Sequence, residues 1–373
     1  MDYLNAATIP GQARLDHVLP AALDAVGLRE DRQARDILGL PRAQRVCVVL
    51  VDGLGFYNLA DRLGHAPALR AMGIGEPITS VVPSTTAAAI TSFGTGLLPG
   101  MTAMTGYSLR VPHTDRSFSL IKWPDSAVDV AKWQTQPTLF SQLGDQLDLA
   151  VTIQPKKFHG SGLSYAALRG ARALYGQSLE ERVQLAVRAL SKDARCAYLY
   201  WGEIDAAGHK HGWCSEAWIG QLEIFDAGIA LLRRMLPQGT LLVITADHGM
   251  IDVDQRIDIA QIPALAQDVD VVAGEPRAVH LYTSDPQAVA QRWRDYTQDK
   301  AWVMTQSELI DSGMLGHTSH FTRQTMGDVL VFAREGYVYV DSRVQSSSAI
   351  GLIGVHGSLT EIEMSIPLIV EVI

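Results

Sequence analysis

The sequence is poor in cysteine, in basic charge and in long apolar runs, and each shortage excludes a class of protein. It holds only 3 cysteines, Cys47, Cys196 and Cys214, which are odd in number, widely spaced and without a CxxC pair. This pattern predicts neither a disulfide framework nor a zinc site built from thiolates. We therefore expect the protein in a reducing compartment.

Positive charge is also in short supply. Lysine and arginine number 31 against 40 aspartates and glutamates, which gives a formal net charge of −9. Such a balance argues against a nucleic-acid scaffold and against a binder of anionic membranes. An acidic protein repels phosphate anions, so phosphate chemistry here would need local positive charge such as bound metal.

Signals for export and membrane insertion are missing too. The first ten residues carry no basic segment followed by an apolar one, as a secretory signal would. No apolar run approaches the roughly 18 residues that a membrane span needs. We expect no membrane association and a cytoplasmic location.

Apolar residues are plentiful. The 373 residues are 47% hydrophobic and 19% charged, which is enough for a large core. At roughly 150 residues per domain the length allows two to three domains, or one large α/β domain with insertions. Tandem repeats, low-complexity tracts and charged linkers are absent from the sequence, so we predict a single domain over residues 1–373.

Continuous apolar runs predict buried parallel strands at Val46–Val51, Ala197–Trp201, Leu241–Thr245 and, near the end of the sequence, Pro367–Val370. Apolar residues recur at helical spacing over Leu179–Leu190 and Ala217–Met235. This alternation predicts an α/β fold with a doubly wound, mainly parallel sheet flanked by helices. In such sheets ligands bind at the carboxyl ends of the strands.

Residues 255–349 follow a different pattern. Three short strand-like runs, separated by loops and one short helix, lie at Ala278–Tyr282, Ala301–Met304 and Val329–Phe332. We expect this stretch to form a cap or an extension of the sheet.

The first candidate site residue is Asp52, which directly follows the first strand. Glycines at 53 and 55 leave room for a close approach, but Asn58 stands where a dinucleotide-binding loop has its third glycine. Taken alone, Asp52 fits a helix N-cap as well as a metal ligand.

A second candidate lies at the start of an alanine-rich helix. Pro83 ends an extended segment, so Ser84, Thr85 or Thr86 begins the helix. Free N–H groups and the helix dipole favour an anion there, and a hydroxyl at this point could attack phosphorus. A threonine is a weak nucleophile without a base or a metal, and in isolation these residues are more often simple caps.

Asp205 and His209 form a third candidate. At positions i and i+4 their side chains share one face of a helix and can bind one cation. His211 is an alternative to His209, although it points elsewhere on a helix. Without other ligands, a solvated polar loop is the simpler interpretation.

The last two candidates are Asp247-His248 and His356. Asp247 and His248 end an apolar strand, and Gly249 permits a tight bend. A turn with no ligand role is an even alternative. His356 lies among glycines just before the last apolar run, which suggests close packing at a site.

Together these residues form a donor set of nitrogen and oxygen suited to zinc, without a thiolate: Asp52, Asp205, His209, Asp247, His248 and His356. Two such metals lie roughly 3.5–4 Å apart and stabilise the attacking and leaving oxygens of an in-line displacement. Thr86 would supply the nucleophile.

The order of these motifs resembles the alkaline phosphatase superfamily, and most of all its nucleotide pyrophosphatase/phosphodiesterase branch. The motifs are Asp52, Pro-x-x-Thr ending at Thr86, Asp-x-x-x-His from Asp205, Asp-His-Gly from Asp247, and His-Gly at His356. With their strands they span residues 46–370, nearly the whole chain.

The resemblance implies a function and a metal assignment. One zinc would be held by Asp52, Thr86, Asp247 and His248, and the second by Asp205, His209 and His356. Thr86 would carry a transient covalent phosphoryl group. We expect a two-zinc phosphodiesterase or nucleotide pyrophosphatase that acts on a small phosphate ester, with a phosphomonoesterase, a phosphonate hydrolase or a catalytically silent phosphate binder as alternatives.

The sequence departs from this branch at one point. An asparagine that contacts a phosphoryl oxygen is typical of the branch, and residues 100–107 contain none. Tyr107, Arg110 or the backbone of Thr86 are the candidates to replace it.

Overall fold

The computed structural model describes residues 10–123 and 128–373. Residues 1–9 lie outside the described residues. They belong to the segment in which we expect no targeting signal, and they begin the predicted domain 1–373. In the described part of the chain, no helix is both long enough and apolar enough to cross a membrane.

The strands of the described residues are, in chain order, β1 (Arg45–Val51), β2 (Ile78–Thr79), β3 (Ser108–Arg110), β4 (Ser117–Ser119), β5 (Ala150–Gln154), β6 (Arg172–Tyr175), β7 (Cys196–Trp201), β8 (Thr240–Ala246), β9 (Ile251–Asp252), β10 (Gln255–Asp258), β11 (Val271–Glu275), β12 (Ala278–Tyr282), β13 (Ala301–Thr305), β14 (Val329–Ala333), β15 (Tyr337–Val340), β16 (Gly354–Val355), β17 (Ser365–Ile366) and β18 (Leu368–Val372).

The α-helices of the same residues are α1 (Val18–Ala25), α2 (Arg32–Leu38), α3 (Phe56–Asp61), α4 (Pro67–Met72), α5 (Thr86–Thr95), α6 (Pro99–Thr102), α7 (Val130–Trp133), α8 (Gly162–Leu168), α9 (Leu179–Leu190), α10 (Glu203–His211), α11 (Glu216–Met235), α12 (Pro263–Ala266), α13 (Pro286–Thr297), α14 (Gln306–Asp311), α15 (His320–Thr325), α16 (Ser347–Ile350) and α17 (Glu361–Met364).

A six-stranded sheet carries the fold, in the order β18-β8-β1-β7-β5-β6. Five strands of this sheet run parallel to one another: β8, β1, β7, β5 and β6. Strand β18, at the edge of the sheet, runs antiparallel to β8. The central strands β1, β7 and β8 are buried along nearly their whole length, which explains their continuous apolar sequence. The predicted α/β fold with a mainly parallel sheet is confirmed.

The register of the central strands decides where the site lies. Val51, the last residue of β1, pairs with Trp201 at the end of β7 and with Ala246 at the end of β8. Three strands therefore end side by side, and the residues that follow them emerge at one edge of the sheet.

The helices α9 and α11 follow the predicted pattern closely. Helix α9 has the predicted bounds, and α11 begins one residue earlier than Ala217 because the Ser215 side chain caps it by accepting from the N–H of Trp218. Helix α9 packs on β7 and against α11.

A second, antiparallel sheet lies within residues 255–349, in the order β11-β12-β14-β13. Its strands contain the three predicted runs, and they pair with one another rather than with the six-stranded sheet. Leu281, Trp293 and Val331 belong to an apolar cluster of its own. The interpretations of residues 255–349 as a cap and of residues 1–373 as a single domain stay predictions.

A buried ion pair ties the second sheet to the chain around His356. Arg277 donates to Glu363, with 2.6 Å between Nη2 and Oε2, and both side chains are fully buried. Glu363 also accepts from the backbone N–H of Ser358 at 3.0 Å. Glu363 thus connects the loop that carries His356 to the second sheet.

Candidate active site

The seven predicted site residues lie in five chain segments that meet at the edge where β1, β7 and β8 end. Each segment follows a strand or begins a helix, which fixes the direction of its side chains. The residues are Asp52 after β1, Thr86 at the start of α5, Asp205 and His209 on α10, Asp247 and His248 after β8, and His356 after β16.

His248 is at the centre of the first group. Its Nε2 lies 3.1 Å from Oγ1 of Thr86, 3.4 Å from Oδ1 of Asp52 and 3.3 Å from Oδ2 of Asp247. Donor atoms of Asp52, Asp247 and His248 all lie within 4.8 Å of one another. These four residues are therefore close enough to share one cation.

The second group surrounds Asp205. One oxygen of Asp205 lies 3.3 Å from Nε2 of His209, and the other lies 3.8 Å from Nε2 of His356. Donor atoms of Asp205, His248 and His356 lie within 4.8 Å of one another. His248 thus belongs to both groups, whereas the resemblance assigns it to one metal alone.

The three imidazole rings are oriented in the same manner. Each Nδ1 lies at hydrogen-bond distance from a backbone carbonyl oxygen: His209 from Gly354 at 2.8 Å, His248 from Gly249 at 3.0 Å, and His356 from Ser84 at 3.1 Å. An N–H on Nδ1 leaves the Nε2 lone pair free. This is the orientation typical of histidines that bind metal.

Each carboxylate of the cluster also has one oxygen available to a cation, as each imidazole has a free nitrogen. Asp52 Oδ1, Asp205 Oδ1 and Asp247 Oδ2 are buried and have no hydrogen-bond partner among the residues that the structure describes. The second oxygens of two of them are used, since Tyr200 donates to Asp52 Oδ2 at 2.5 Å and the Gly53 N–H donates to Asp247 Oδ1 at 3.1 Å. Unpartnered buried carboxylate oxygens are costly. Their convergence with free imidazole nitrogens fits a site for cations.

Electrostatics support the same conclusion. Burial raises the pKa of Asp52, and the nearby Asp247 and Asp205 raise it further. Burial likewise raises the pKa of Asp247 and lowers the pKa of His248. Without a counter-charge the cluster resists the ionised carboxylates it would need, and bound cations supply that charge.

Close backbone contacts hold the acidic residues together. Gly53 has φ +74°, and a Cβ there would lie 3.0 Å from the Cβ of Asp205. Glycine is therefore needed at this position both for the left-handed conformation and for the approach of Asp205 to Asp52.

Helix α5 presents Thr86 to the cluster. Its N-cap residue is Thr85, which is fully buried and makes no side-chain capping hydrogen bond. The alternative interpretation of these residues as simple caps is thus not realised at Thr85. At Gly94, a Cβ would lie 1.8 Å from the carbonyl oxygen of Ala167, so α5 packs directly on the backbone at the end of α8.

A cavity of about 640 Å³ opens onto the cluster, a size typical of small-molecule sites. Besides the predicted residues Asp52, Thr86, Asp205, His209 and His356, its lining includes the aromatic side chains of Tyr107, Phe158 and Tyr200, the cation of Lys157, and the carboxyls of Glu203 and Glu275.

Sequence reasoning missed two residues of this site and raised two that lie outside it. Tyr200 looked like an ordinary strand residue, and no pattern singled out Glu275. Of the candidates to replace the asparagine, Tyr107 lines the cavity, while Arg110 lies outside it with its guanidinium 4.3 Å from the ring centre of Tyr282. His211 is exposed and does not line the cavity.

The family model of type I phosphodiesterase / nucleotide pyrophosphatase matches residues 46–359. The chain belongs to this family. As a member of this phosphodiesterase family, the protein is an enzyme of the phosphoric ester hydrolase class, as the sequence motifs predicted. None of the curated proteins compared with it matches.

Solved structures share the fold of this phosphodiesterase family member. Murine ectonucleotide pyrophosphatase/phosphodiesterase 5 superposes with a TM-score of 0.64 at 18% identity, over 87% of each chain. An inactive form of that protein in complex with AMP gives a TM-score of 0.62 at 18% identity, again over 87% of each chain. Phosphonoacetate hydrolase from Sinorhizobium meliloti 1021 in complex with phosphonoformate gives 0.68 at 19% identity, over 88% of this chain and 90% of the other.

Proposed function

We propose that this protein is a two-zinc phosphodiesterase or nucleotide pyrophosphatase that works through a covalent phospho-threonine on Thr86. The observation that carries the proposal is the position of Oγ1 of Thr86. It lies at the N-terminus of α5 and 3.1 Å from Nε2 of His248, within a cluster of carboxylates and imidazoles.

The donor set supports zinc at two places. We assign Asp52, Thr86, Asp247 and His248 to one ion and Asp205, His209 and His356 to the other, with His248 close enough to serve both. Nitrogen and oxygen donors without thiolate suit catalytic zinc. When bound, such ions lower the pKa of a hydroxyl or of water and offset the charge of the phosphoryl group.

The chain itself supplies the nucleophile and the anion site. Oγ1 of Thr86 attacks phosphorus as the bond to the leaving oxygen breaks, and the hydroxyl proton passes through solvent to the leaving oxygen. The free N–H groups of the first turn of α5 hold a phosphoryl oxygen. Water then attacks the same phosphorus, and the threonine hydroxyl is restored. Two in-line displacements invert twice, so we expect net retention at phosphorus.

The cavity and the neighbours support a small phosphate ester as substrate. In the solved structures, the murine protein binds AMP in an inactive form with one threonine replaced by alanine, and phosphonoacetate hydrolase binds phosphonoformate. The second likeness makes a phosphonate hydrolase the alternative function. A silent phosphate binder would need neither the threonine nor the full set of ligands.

The deciding experiment compares a nitrophenyl phosphodiester with the corresponding monoester on the zinc-loaded protein, with Thr86→Ala as control. Faster cleavage of the diester, lost in the variant, supports the proposal. Faster cleavage of the monoester indicates a phosphatase. Turnover of neither, or full turnover by Thr86→Ala, contradicts the proposed function.

We also propose a cytoplasmic location, with no nucleic-acid scaffold and no membrane as partner. Its support is the state of the cysteines. Cys47 and Cys196 are free and buried, and Cys214 is free and exposed. An exposed free thiol is typical of a reducing compartment.

A further inference from the structure

Asn58 is a fully buried amide that belongs neither to the metal ligands nor to the lining of the cavity. It stands where a dinucleotide-binding loop has its third glycine, and it lies in the first turn of α3. Its Nδ2 donates to the carbonyl oxygen of Met250 at 3.0 Å, and its Oδ1 accepts from the N–H of the same residue at 3.1 Å. One side chain thus binds both backbone polar groups of a residue 192 positions away.

This contact joins two segments that leave the sheet beside each other. The pairing of β1 with β8 stops at the last residue of each strand, so strand hydrogen bonds no longer fix the distance between the segments beyond that point. Asp52 and Asp247 are the next residues of the two segments. Asn58 and Met250 lie a few residues further along and connect the segments again. The amide therefore contributes to the spacing of the metal ligands that the two segments carry.

Backbone packing around the amide leaves little room for adjustment. A Cβ at Gly55 would lie 2.5 Å from Cα of Gly249, and a Cβ at Gly249 would overlap the carbonyl oxygen of Ile362. The Gly249 N–H also donates to the carbonyl oxygen of Glu363 at 2.8 Å. Because three segments touch backbone to backbone here, a shift of one of them displaces the others.

The polar groups of Met250 depend on this amide. Met250 is fully buried, so water does not replace the two hydrogen bonds when the amide is removed. Leaving a buried N–H and a buried carbonyl oxygen unsatisfied is costly, and the segment would have to move to find other partners. Such a movement changes the distance of 3.4 Å between His248 Nε2 and Asp52 Oδ1.

We propose that Asn58 is a positioning residue of the first ion, the one assigned to Asp52 and His248, and that it fixes the distance between these two ligands. It acts through the backbone of Met250 and touches neither the ion nor the substrate. This inference rests on the proposed function, because it presupposes metal at the assigned residues. Residues that orient metal ligands typically contribute a factor of about ten to a hundred to metal affinity.

The test removes the hydrogen bonds of the amide at nearly constant size. Asn58→Leu keeps the shape of the side chain and cannot bond to Met250. Zinc affinities are measured by competition with a chelator, and His209→Ala, which lacks a ligand of the second ion, shows which ion is affected. We expect Asn58→Leu to weaken the first ion by at least about tenfold, also when combined with His209→Ala, and to leave the second within about threefold.

Gln134→Met is the matched control. Gln134 is also a fully buried amide that does not line the cavity. It donates to the carbonyl oxygen of Ala166 at 2.6 Å and accepts from the N–H of Gln136 at 2.6 Å. Its replacement should lower the melting temperature, as Asn58→Leu does, but keep both zinc affinities within about threefold. Wild-type zinc affinities in Asn58→Leu, or equal weakening of both ions, would overturn the proposal.

Cobalt(II) in place of zinc gives a second readout, because its visible absorption depends on the arrangement of the ligands around the ion. In the His209→Ala background, Asn58→Leu should shift the bands of the remaining ion, and Gln134→Met should not. An unchanged spectrum in Asn58→Leu contradicts a role in positioning.

A further variant covers the case in which Asn58→Leu does not fold. Asn58→Ser has a side chain too short to reach both polar groups of Met250 and leaves room for water beside them. We expect it to fold and to weaken the first ion by at least about tenfold as well. Wild-type zinc affinity in Asn58→Ser would count against the proposal.

These outcomes separate the two proposals. A wild-type protein that binds two zinc ions and loses turnover in Thr86→Ala, but whose zinc affinity and cobalt spectrum are indifferent to Asn58→Leu, keeps the proposed function and loses the role of Asn58. A wild-type protein that binds no zinc and cleaves no ester fails the proposed function itself.

Discussion

The imidazole rings of His248 and His356 are stacked, with 3.5 Å between their centroids and 13° between their planes. Burial lowers the pKa of both, and His248 lowers the pKa of His356 further, because two positive rings would repel. Both therefore stay neutral at pH 7. Because a neutral ring with its proton on Nδ1 leaves Nε2 free, the pair offers two adjacent metal-binding nitrogens.

Replacing His356 tests this pair. His356→Ala removes one free Nε2 beside Asp205, so the zinc content should fall from two to about one equivalent per chain. Mass spectrometry of metal in the dialysed protein gives the stoichiometry. His211→Ala, on the same helix as His209 but exposed, is the control and should keep the wild-type content. An unchanged zinc content in His356→Ala contradicts its role as a ligand.

Tyr200→Phe tests the support of Asp52. The variant loses the hydrogen bond of 2.5 Å to Asp52 Oδ2 and keeps the ring. We expect zinc affinity to fall about ten- to a hundredfold, as is typical for residues that orient a ligand. Competition with a chelator measures it. Tyr175→Phe is the control, because the Tyr175 hydroxyl pairs with His159 and neither residue lines the cavity. It should have no effect on zinc affinity. Equal affinities in both variants would contradict this role of Tyr200.

The Arg277–Glu363 ion pair should matter for stability. Arg277→Met leaves a fully buried carboxylate without its partner, so we expect a loss of about 3–5 kcal/mol in the free energy of unfolding. Urea denaturation measures the loss. Glu223→Gln breaks the half-exposed contact with His65 and should cost less than about 1 kcal/mol. Similar losses in the two variants would show that the buried pair contributes no more to stability than the half-exposed one.

The protonation state of Glu275 predicts a pH dependence of stability. Its pKa in the folded protein is about 8 against an ordinary value of 4.5, so the folded state binds the proton more tightly. The stability this provides is present at low pH and is lost as the pH rises to about 8.

We therefore compare the wild type with Glu275→Gln, both free of metal. The free energy of unfolding of the wild type relative to the variant should fall by about 2–4 kcal/mol between pH 5 and pH 8 and change little above that. Urea denaturation at each pH measures it. A constant difference would mean that Glu275 is already ionised at neutral pH.

The sequence predicts most of this site because its residues follow parallel strands. Asp52 and Asp247 come directly after buried apolar runs, and Asp205 follows a third within one helical turn. Parallel neighbours in register bring such residues to one edge, so the motif order and the strand pattern together locate the cluster. The family model matches residues 46–359, a range that includes all of these residues.

What the sequence could not predict depends on contacts between distant segments. Glu275 reaches the cavity from the second sheet, and neither the pairing order of that sheet nor its position follows from the pattern of residues 255–349. Tyr200 is one of several aromatic residues in β7, and only the fold shows which hydroxyl meets Asp52. The membership of His248 in both groups follows from ring stacking, which spacing along the chain does not encode.

The separation of the site residues along the chain has a consequence for biosynthesis. Asp52 and His356 are brought together only after the strands between them have paired, and the Arg277–Glu363 pair that connects the loop of His356 to the second sheet needs residue 363 as well. A growing polypeptide on the ribosome thus offers metal ions no more than local pairs such as Asp205 and His209, or Asp247 and His248. Selective loading must wait until the segment around His356 has emerged, so metal uptake becomes a late event that marks a finished fold.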